Sequence, residues 1–333
     1  MAVREQKITD RFAAYNGDCI EVLPTLKAGS VDISIYSPPF AELYNYSSSP
    51  RDLSNCKSAD EFMKHYEFVV KEIYRVTKPG RISCVHCMET RNGGHWRDFP
   101  GDILRLHEKI GWHYHSKFIV WKEPLRVAIK TRALGLMHKQ LVKDSTVSYA
   151  AVPDYILILK KPGVNPEPVS HGAGFTTYAG SNQPPADLFA KYEHWKTAKT
   201  NKLSHYIWQR YASPVWMDIR AGRLLPYRDA KEKTEEKHCC PLQLDVIERC
   251  LALYSNSNDV MLTPFMGIGS EAFGALDCGR RAIGIELKPT YYRQALTNIA
   301  MAGVRRTERD LLNTIDPEIE ETEPTIEEEE ETE

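Results

Sequence analysis

Hydrophobic positions along this chain keep two rhythms that take turns. Val31 to Tyr36 (VDISIY) is a compact run of mainly β-branched and aromatic residues, which predicts a buried strand. Residues 58–77 instead repeat apolar positions every three or four residues, at Phe62, Tyr66, Val69, Ile73 and Val76, which predicts an amphipathic helix. Ser58 and Glu61 form a capping box at its start, and KPG (78–80) ends it. Further strands are predicted at 82–87, 113–121, 154–161, 259–265 and in RAIGIEL, and further helices at 101–111, 241–254, from Ser270, and at 290–303. Strands alternating with helices predict an α/β fold with a mainly parallel sheet.

The rhythm fails in two places. Residues 41–57 are polar and aromatic without period and read as a loop. Residues 162–237 are rich in Pro, Gly, Asn and aromatics and read as an inserted region. Near the start, Asn16-Gly17-Asp18 reads as a turn leading into a short helical stretch, CIEVLPTL. No internal repeat is visible. The chain divides into 1–161, the insert 162–237, a second ordered half 238–305, and a tail 306–333.

Charge sharpens that division. The 333 residues carry a formal net charge of −2, but residues 316–333 hold 11 acids and no Lys or Arg. Without them the body has 43 basic residues against 34 acidic ones, which is compatible with a polyanionic partner. Like-charge repulsion predicts a disordered tail. A chain 42% hydrophobic and 26% charged reads as an ordinary soluble one, with no run near the ~18 apolar residues of a membrane span. The first residues, MAVREQKITDRF, lack the apolar core of a secretion signal. Eight cysteines, mostly within apolar runs, predict a reduced cytoplasmic setting rather than a disulfide framework. Neither Cys84-Val85-His86-Cys87 nor His238-Cys239-Cys240 has the paired spacing of a metal site, so none is expected.

Two motifs carry chemistry. A strand runs into Phe265-Met266-Gly267-Ile268-Gly269-Ser270, then a helix, then a strand ending in Glu286. Glycines permit a tight turn and close backbone approach, and the helix start offers free N–H groups. An acid ending the next strand can accept hydrogen bonds from ribose hydroxyls. The second motif, Ser37-Pro38-Pro39-Phe40, closes the Val31–Tyr36 strand. Two prolines there stop the strand, so Ser37 sits at its C-terminal end, entering a rigid turn.

FxGxGS followed by GIEL resembles the S-adenosylmethionine turn of amino-methyltransferases. SPPF resembles the (D/N/S/T)PP(Y/F/W) motif of enzymes that methylate exocyclic amines of adenine or cytosine. Their order, SPPF first and cofactor turn last with an irregular segment between, resembles the β class of DNA amino-methyltransferases, bacterial or phage type, over roughly residues 12–303. The resemblance implies a Rossmann-like α/β methyltransferase fold with circularly permuted motif order. The insert 162–237 would be the target-recognition region and S-adenosylmethionine the cofactor. Ser37 and the Pro38 carbonyl would bind the amine hydrogens, Pro39 would hold the turn rigid, and Phe40 would stack on a flipped base. Asp18, Cys19, Pro241, Phe265, Gly267, Gly269, Ser270 and Glu286 would contact the cofactor, with His238 and Leu244 nearby. Thr263 stands where many relatives carry Asp. Ser at the first motif position is more typical of cytosine-N4 enzymes than of adenine-N6 ones. Relatives of this class often dimerise, so the resemblance allows a homodimer. It also implies a cytoplasmic enzyme of a bacterium or phage-infected cell, with a role in restriction-modification among those open to it.

The stretch 117–143 has seven Lys or Arg and one acid. Lys122, Arg126, Lys130, Arg132, Lys139 and Lys143 are therefore candidates to contact phosphates of double-stranded DNA. In the insert, Asn182, Gln183, Gln209, Arg210, Arg220 and Arg223 have chemistry suited to base edges. Tyr44 and Tyr46 could cover a flipped base. The same motifs would also serve an RNA or protein-amide methyltransferase, or a DNA-binding protein without turnover.

Overall fold

The computed structural model describes residues 3–39, 53–56, 58–92, 95–131, 134–190, 200–227 and 241–303. The chain opens with a hairpin, β1 (Val3–Ile8) and β2 (Phe12–Gly17), followed by the short α1 (Cys19–Val22) and β3 (Val31–Tyr36). Then come α2 (Ala59–Val76), β4 (Thr77–Cys87), the small strands β5 (Thr90–Asn92) and β6 (His95–Arg97), α3 (Phe99–Ile110) and β7 (His113–Val120). Two short helices, α4 (Pro124–Thr131) and α5 (Lys139–Lys143), precede β8 (Asp154–Lys160). The irregular region contains α6 (Ala186–Ala190), α7 (Lys202–Tyr211) and β9 (Val215–Trp216). The chain continues through α8 (Leu244–Tyr254), β10 (Val260–Thr263), α9 (Ser270–Asp277), β11 (Arg281–Glu286) and α10 (Pro289–Ala300).

One nine-stranded sheet runs in the order β1-β2-β11-β10-β3-β4-β8-β7-β9. Its centre, from β2 to β4, is parallel, and β8 is antiparallel to both β4 and β7. Helices cover both faces. One apolar cluster gathers residues of α8, α9 and α10 against β10 and β3, among them Ile247, Phe273, Tyr292, Met261 and Ile33. The other gathers α1, α2 and α3 through Val22, Phe62, Val69, Ile103 and Trp112. All six residues of β3 are buried, as a central strand covered on both faces requires.

The predicted elements appear with small shifts, and the structure adds strands β5, β6 and β9 and helices α4 to α7, which were not expected. Ser58 caps α2 by accepting from the Glu61 N–H at 3.2 Å. The chain then becomes extended at once: β4 begins at Thr77, and a register shift against β3 absorbs Pro79-Gly80. The β1–β2 hairpin was not expected. Five of the six β1 residues are exposed, so this edge strand has no buried face to imprint an apolar alternation.

The irregular region joins the main body through both backbone and side chains. β9 extends the sheet by pairing parallel to β7. Arg249 of α8 is buried among Tyr178, Tyr211 and Trp216, and its guanidinium pairs with Asp218 at 2.8 Å. No helix among the described residues is long and apolar enough to cross a membrane.

Candidate active site

The sheet has one topological switch point at its centre. From β10 the chain crosses through α9 to β11 on one side, and from β3 it crosses through α2 to β4 on the other. A crevice opens where neighbouring strands send their connections apart, and open α/β sheets bind ligands there. Both sequence motifs lie at this point. β10 and β3 pair through Leu262 and Ser34, and continuing that register brings Phe265 level with Ser37.

The glycine turn is built from backbone. Gly267 and Gly269 both hold positive φ, at 54° and 88°, which side chains disfavour. A Cβ on Gly269 would also stand 3.0 Å from the Ala295 Cβ. Gly269 is the N-cap of α9, so the first N–H groups of that helix face the crevice end of β10. Glu286 closes the turn: Oε2 accepts from the Gly267 N–H at 2.8 Å and Oε1 from the Lys288 N–H at 2.7 Å. A carboxylate at this strand end is of the kind that accepts hydrogen bonds from ribose hydroxyls.

β2 ends beside β11, with Asn16 paired to Glu286. The Asn16 side-chain amide donates to the carbonyls of Glu286 and Leu287, at 2.8 and 3.2 Å, locking the two strand ends together. Asp18 caps α1 through the Ile20 N–H at 3.0 Å. Cys19 is buried, and burial, then Asp18 and Glu286, push its thiol up. These groups therefore share one neighbourhood. Phe265 is half-buried, its ring 6.0 Å from that of Tyr36. Two buried hydroxyls, Thr263 Oγ1 and Ser270 Oγ, have no hydrogen-bond partner among the described residues. Orphaned polar atoms beside a glycine turn, the N-terminal end of α9 and an acid at the next strand end fit a nucleoside cofactor such as S-adenosylmethionine.

Glu271 follows Ser270 into α9 and is buried; burial pushes its carboxyl up to about 8, with Glu286 adding to the effect.

The second motif is built from side chains. Ser37 is half-buried, Pro38 buried and Pro39 half-buried; Phe40 lies outside the described residues. Ser37 Oγ is 2.7 Å from His86 Nδ1, on the neighbouring β4. His86 Nε2 is 3.4 Å from Asp154 Oδ2, at the start of β8. Asp154 Oδ1 accepts from Lys122 Nζ at 2.6 Å. Burial alone would raise the Asp154 carboxyl, but His86 and Lys122 outweigh it and hold it down to about 2. No sequence motif marks His86 or Asp154 for a role here. Lys122, a phosphate candidate by sequence, instead commits its ammonium to Asp154.

The strand carrying Ser37 rests on a buried polar chain. Tyr66 donates to the Tyr36 hydroxyl at 3.1 Å, and Tyr36 lies 3.2 Å from His107 Nε2. Burial pushes His107 down to about 4, so it is neutral and accepts from Tyr36 while Nδ1 donates to the Ile103 carbonyl.

Other candidates lie further out. β7 is parallel in sense to β4, so the segment leaving it, α4 and α5, emerges at the same sheet edge as Ser37. Arg126, Lys139 and Lys143 are exposed there. Lys130 belongs to α4 but its side chain, like all of Arg132, lies outside the described residues. Pro241 is half-buried just before α8, while His238, Cys239, Cys240, Tyr44 and Tyr46 lie outside the description. Of the base-readout candidates, Arg220 pairs with Asp245 at 2.6 Å and Arg223 with Asp245 and Glu248, so both brace the insert on α8. Arg210 stacks on Tyr206 at 3.4 Å. Asn182, Gln183 and Gln209 are exposed. At the opposite sheet edge, Asp32, Glu167 and Asp259 bring carboxylate oxygens within 4.8 Å of one another. Arg81 pairs with Asp32 at 3.1 Å and with Asp259 at 3.0 Å, which accounts for the cluster as an ionic clasp.

Comparison with known proteins agrees with this geometry. The family model described as DNA methylase matches residues 31–297. The type II methyltransferase M.BglII of Bacillus subtilis is 25% identical over 283 residues, covering 83% of this chain and 66% of its own length. The DNA adenine methyltransferase YhdJ of Escherichia coli (strain K12) is 22% identical over 292 residues, covering 86% of this chain and 82% of its own. Among solved structures, TTHA0409 of Thermus thermophilus superposes with a TM-score of 0.59 at 21% identity, over 89% of this chain and 96% of its own. The PvuII DNA methyltransferase (cytosine-N4-specific) also gives 0.59, at 14% identity, over 94% and 96%. These likenesses share the Rossmann-like α/β fold, and the family match reaches across both motifs and the insert between them. With SPPF at one side of the switch point and the glycine turn at the other, this chain belongs to the N6/N4 DNA methylase family.

Proposed function

We propose that this protein transfers a methyl group from S-adenosylmethionine to the exocyclic amine of a base flipped out of double-stranded DNA, at a specific site. The observation that carries the reading is that Ser37-Pro38 and the Gly267–Ser270 turn leave the paired strands β3 and β10 at the same end of the sheet. S-adenosylmethionine, with which TTHA0409 has been solved, supplies an electrophilic methyl group on a sulfonium. Gly267, Gly269, Ser270, Phe265 and Glu286 hold it, with Asp18 and Cys19 at its adenine end and Pro241 flanking. Ser37 and the Pro38 carbonyl accept the amine hydrogens, which favours a pyramidal, nucleophilic nitrogen as positive charge develops. Positioning does the remaining work, and no covalent enzyme intermediate is needed. Phe40 stacks on the base.

Cytosine N4 is the favoured target over adenine N6, because Ser occupies the first motif position. Arg126, Lys139 and Lys143 contact phosphates along the edge that carries Ser37, and Lys130 and Arg132 of the same basic stretch are further phosphate candidates. Exposed Leu125 and Ile129 stand among them, suited to pressing on a groove whose base is being extruded. The insert 162–237 reads the sequence, through exposed polar groups such as Asn182 and Gln209 rather than through the braced Arg220 and Arg223.

Radiolabelled S-adenosylmethionine offered with unmethylated plasmid DNA, with RNA, and without nucleic acid tests the reading. Label should enter DNA alone. Label in RNA or in the protein fraction would replace the substrate class. A DNA gel shift with no label in any fraction would mark a binding protein without turnover.

A further inference from the structure

A serine hydroxyl has one hydrogen and two lone pairs. It can accept a hydrogen bond from a substrate amine only when its own hydrogen points elsewhere. His86 Nδ1, 2.7 Å from Ser37 Oγ, is placed to take that hydrogen, provided the ring proton sits on Nε2. Nε2 is buried and faces Asp154 Oδ2 at 3.4 Å, an approach to the carboxylate longer than a short hydrogen bond. An ionised carboxylate can only accept, so it selects the Nε2–H tautomer. Lys122, 2.6 Å from the other carboxylate oxygen, keeps that acid charged. Four separate segments thus converge on one orientation: the end of β3, β4, the residues after β7, and the start of β8.

We infer that His86 and Asp154 are positioning residues for methyl transfer: they turn the Ser37 lone pairs toward the amine and receive the proton it sheds. The inference rests on the reading of Ser37 as the partner of the amine. The amine nitrogen forms its new bond to the methyl carbon as the carbon–sulfur bond breaks, leaving that electron pair on sulfur. The nitrogen, now positively charged, gives one hydrogen to Ser37 Oγ while the serine hydrogen passes to His86 Nδ1. The resulting imidazolium is held beside Asp154 and returns its extra proton to water. The chemistry follows the general logic of a hydroxyl, imidazole and carboxylate in line, used here to orient an acceptor rather than to make a nucleophile.

Two pairs of variants test this. Asp154→Asn offers a donor to Nε2, moves the ring proton to Nδ1, and turns the serine hydrogen toward the amine. Its single-turnover rate should fall at least ~30-fold, more than that of Asp154→Ala, as expected when a tautomer is inverted. His86→Ala should lose on the order of 10²-fold, while His86→Asn, whose Oδ1 replaces Nδ1 as acceptor, should recover at least about tenfold over it. Cofactor affinity by titration calorimetry and DNA KM should stay within about threefold for all four. Equal rates for His86→Ala and His86→Asn, or an Asp154→Asn rate within about threefold of wild type, would overturn the inference. Should Asp154→Asn not fold, the His86 pair decides alone. Absence of methyl transfer by the wild-type chain would instead sink the underlying reading of Ser37.

Discussion

The two sides of the switch point are made in different ways. The cofactor side is backbone: Gly267 and Gly269 in left-handed conformation, the start of α9, and a carboxylate that holds the Gly267 N–H at 2.8 Å. Its parts lie within one strand–helix–strand unit. The side proposed to take the amine is organised by side chains: Ser37, His86, Lys122 and Asp154 come from four segments and meet only because β3, β4 and β8 are neighbours and β7 lies beyond. A site of backbone needs particular residues at fixed local spacing. A site of side chains needs only that the sheet bring them together.

That contrast predicts separable failures. The largest is at Ser37. Ser37→Ala should lower single-turnover rate on the order of 10²–10³-fold, with cofactor affinity from calorimetry within about twofold. Equal loss of both would erase the distinction between the sides.

Next is Glu271, buried on the cofactor side. Its carboxyl is raised from 4.5 to about 8, so between those pH values the folded chain keeps a proton that the unfolded chain has released. Stability is therefore present at low pH and falls as pH rises through that window. Glu271→Gln mimics the protonated form and should flatten the slope, gaining on the order of 2 kcal/mol at pH 9 while changing little near pH 5. Urea unfolding at the two pH values measures it; parallel pH dependence in both proteins would contradict it.

Gly269→Ala should act on the cofactor alone. The φ of 88° and the 3.0 Å approach to Ala295 both resist a Cβ. Cofactor affinity should drop about tenfold, or about 1.4 kcal/mol, with the rate at saturating cofactor nearly kept. A rate loss that saturation does not restore would show the two sides to be coupled.

The smallest effect belongs to the basic edge. Replacing exposed Lys139 and Lys143 by Ala should weaken DNA binding a few-fold at low salt and reduce the salt slope by about 1 per lost phosphate contact. An unchanged slope would move the DNA to another face.

The same contrast explains what could be read from sequence. The strand–helix alternation, the SPPF end of β3 and the turn from Phe265 to Ser270 were all legible, because local period and glycine spacing encode them. The β1–β2 hairpin was not, since an exposed edge strand needs no apolar alternation. His86 lay hidden inside the apolar run ISCVHC, where residue spacing argued only against a metal site. In the fold, Cys84 and Cys87 on either side of it join opposite apolar clusters. Asp154 opened a predicted strand with nothing in its neighbours to mark it. Lys122, Arg220 and Arg223 counted as surface charge, because composition cannot tell an exposed cation from one paired with a buried carboxylate.

The central claim is that this switch point methylates an exocyclic amine of DNA. Nucleoside mass spectrometry tests it most directly: plasmid DNA lacking methylation is incubated with the protein and S-adenosylmethionine, digested fully, and its methylated nucleosides quantified. N4-methylcytosine is the expected product; N6-methyladenine would keep the enzyme and overturn the weight given to Ser37 in choosing the base. No methylated nucleoside, from protein that binds the cofactor, would contradict the account.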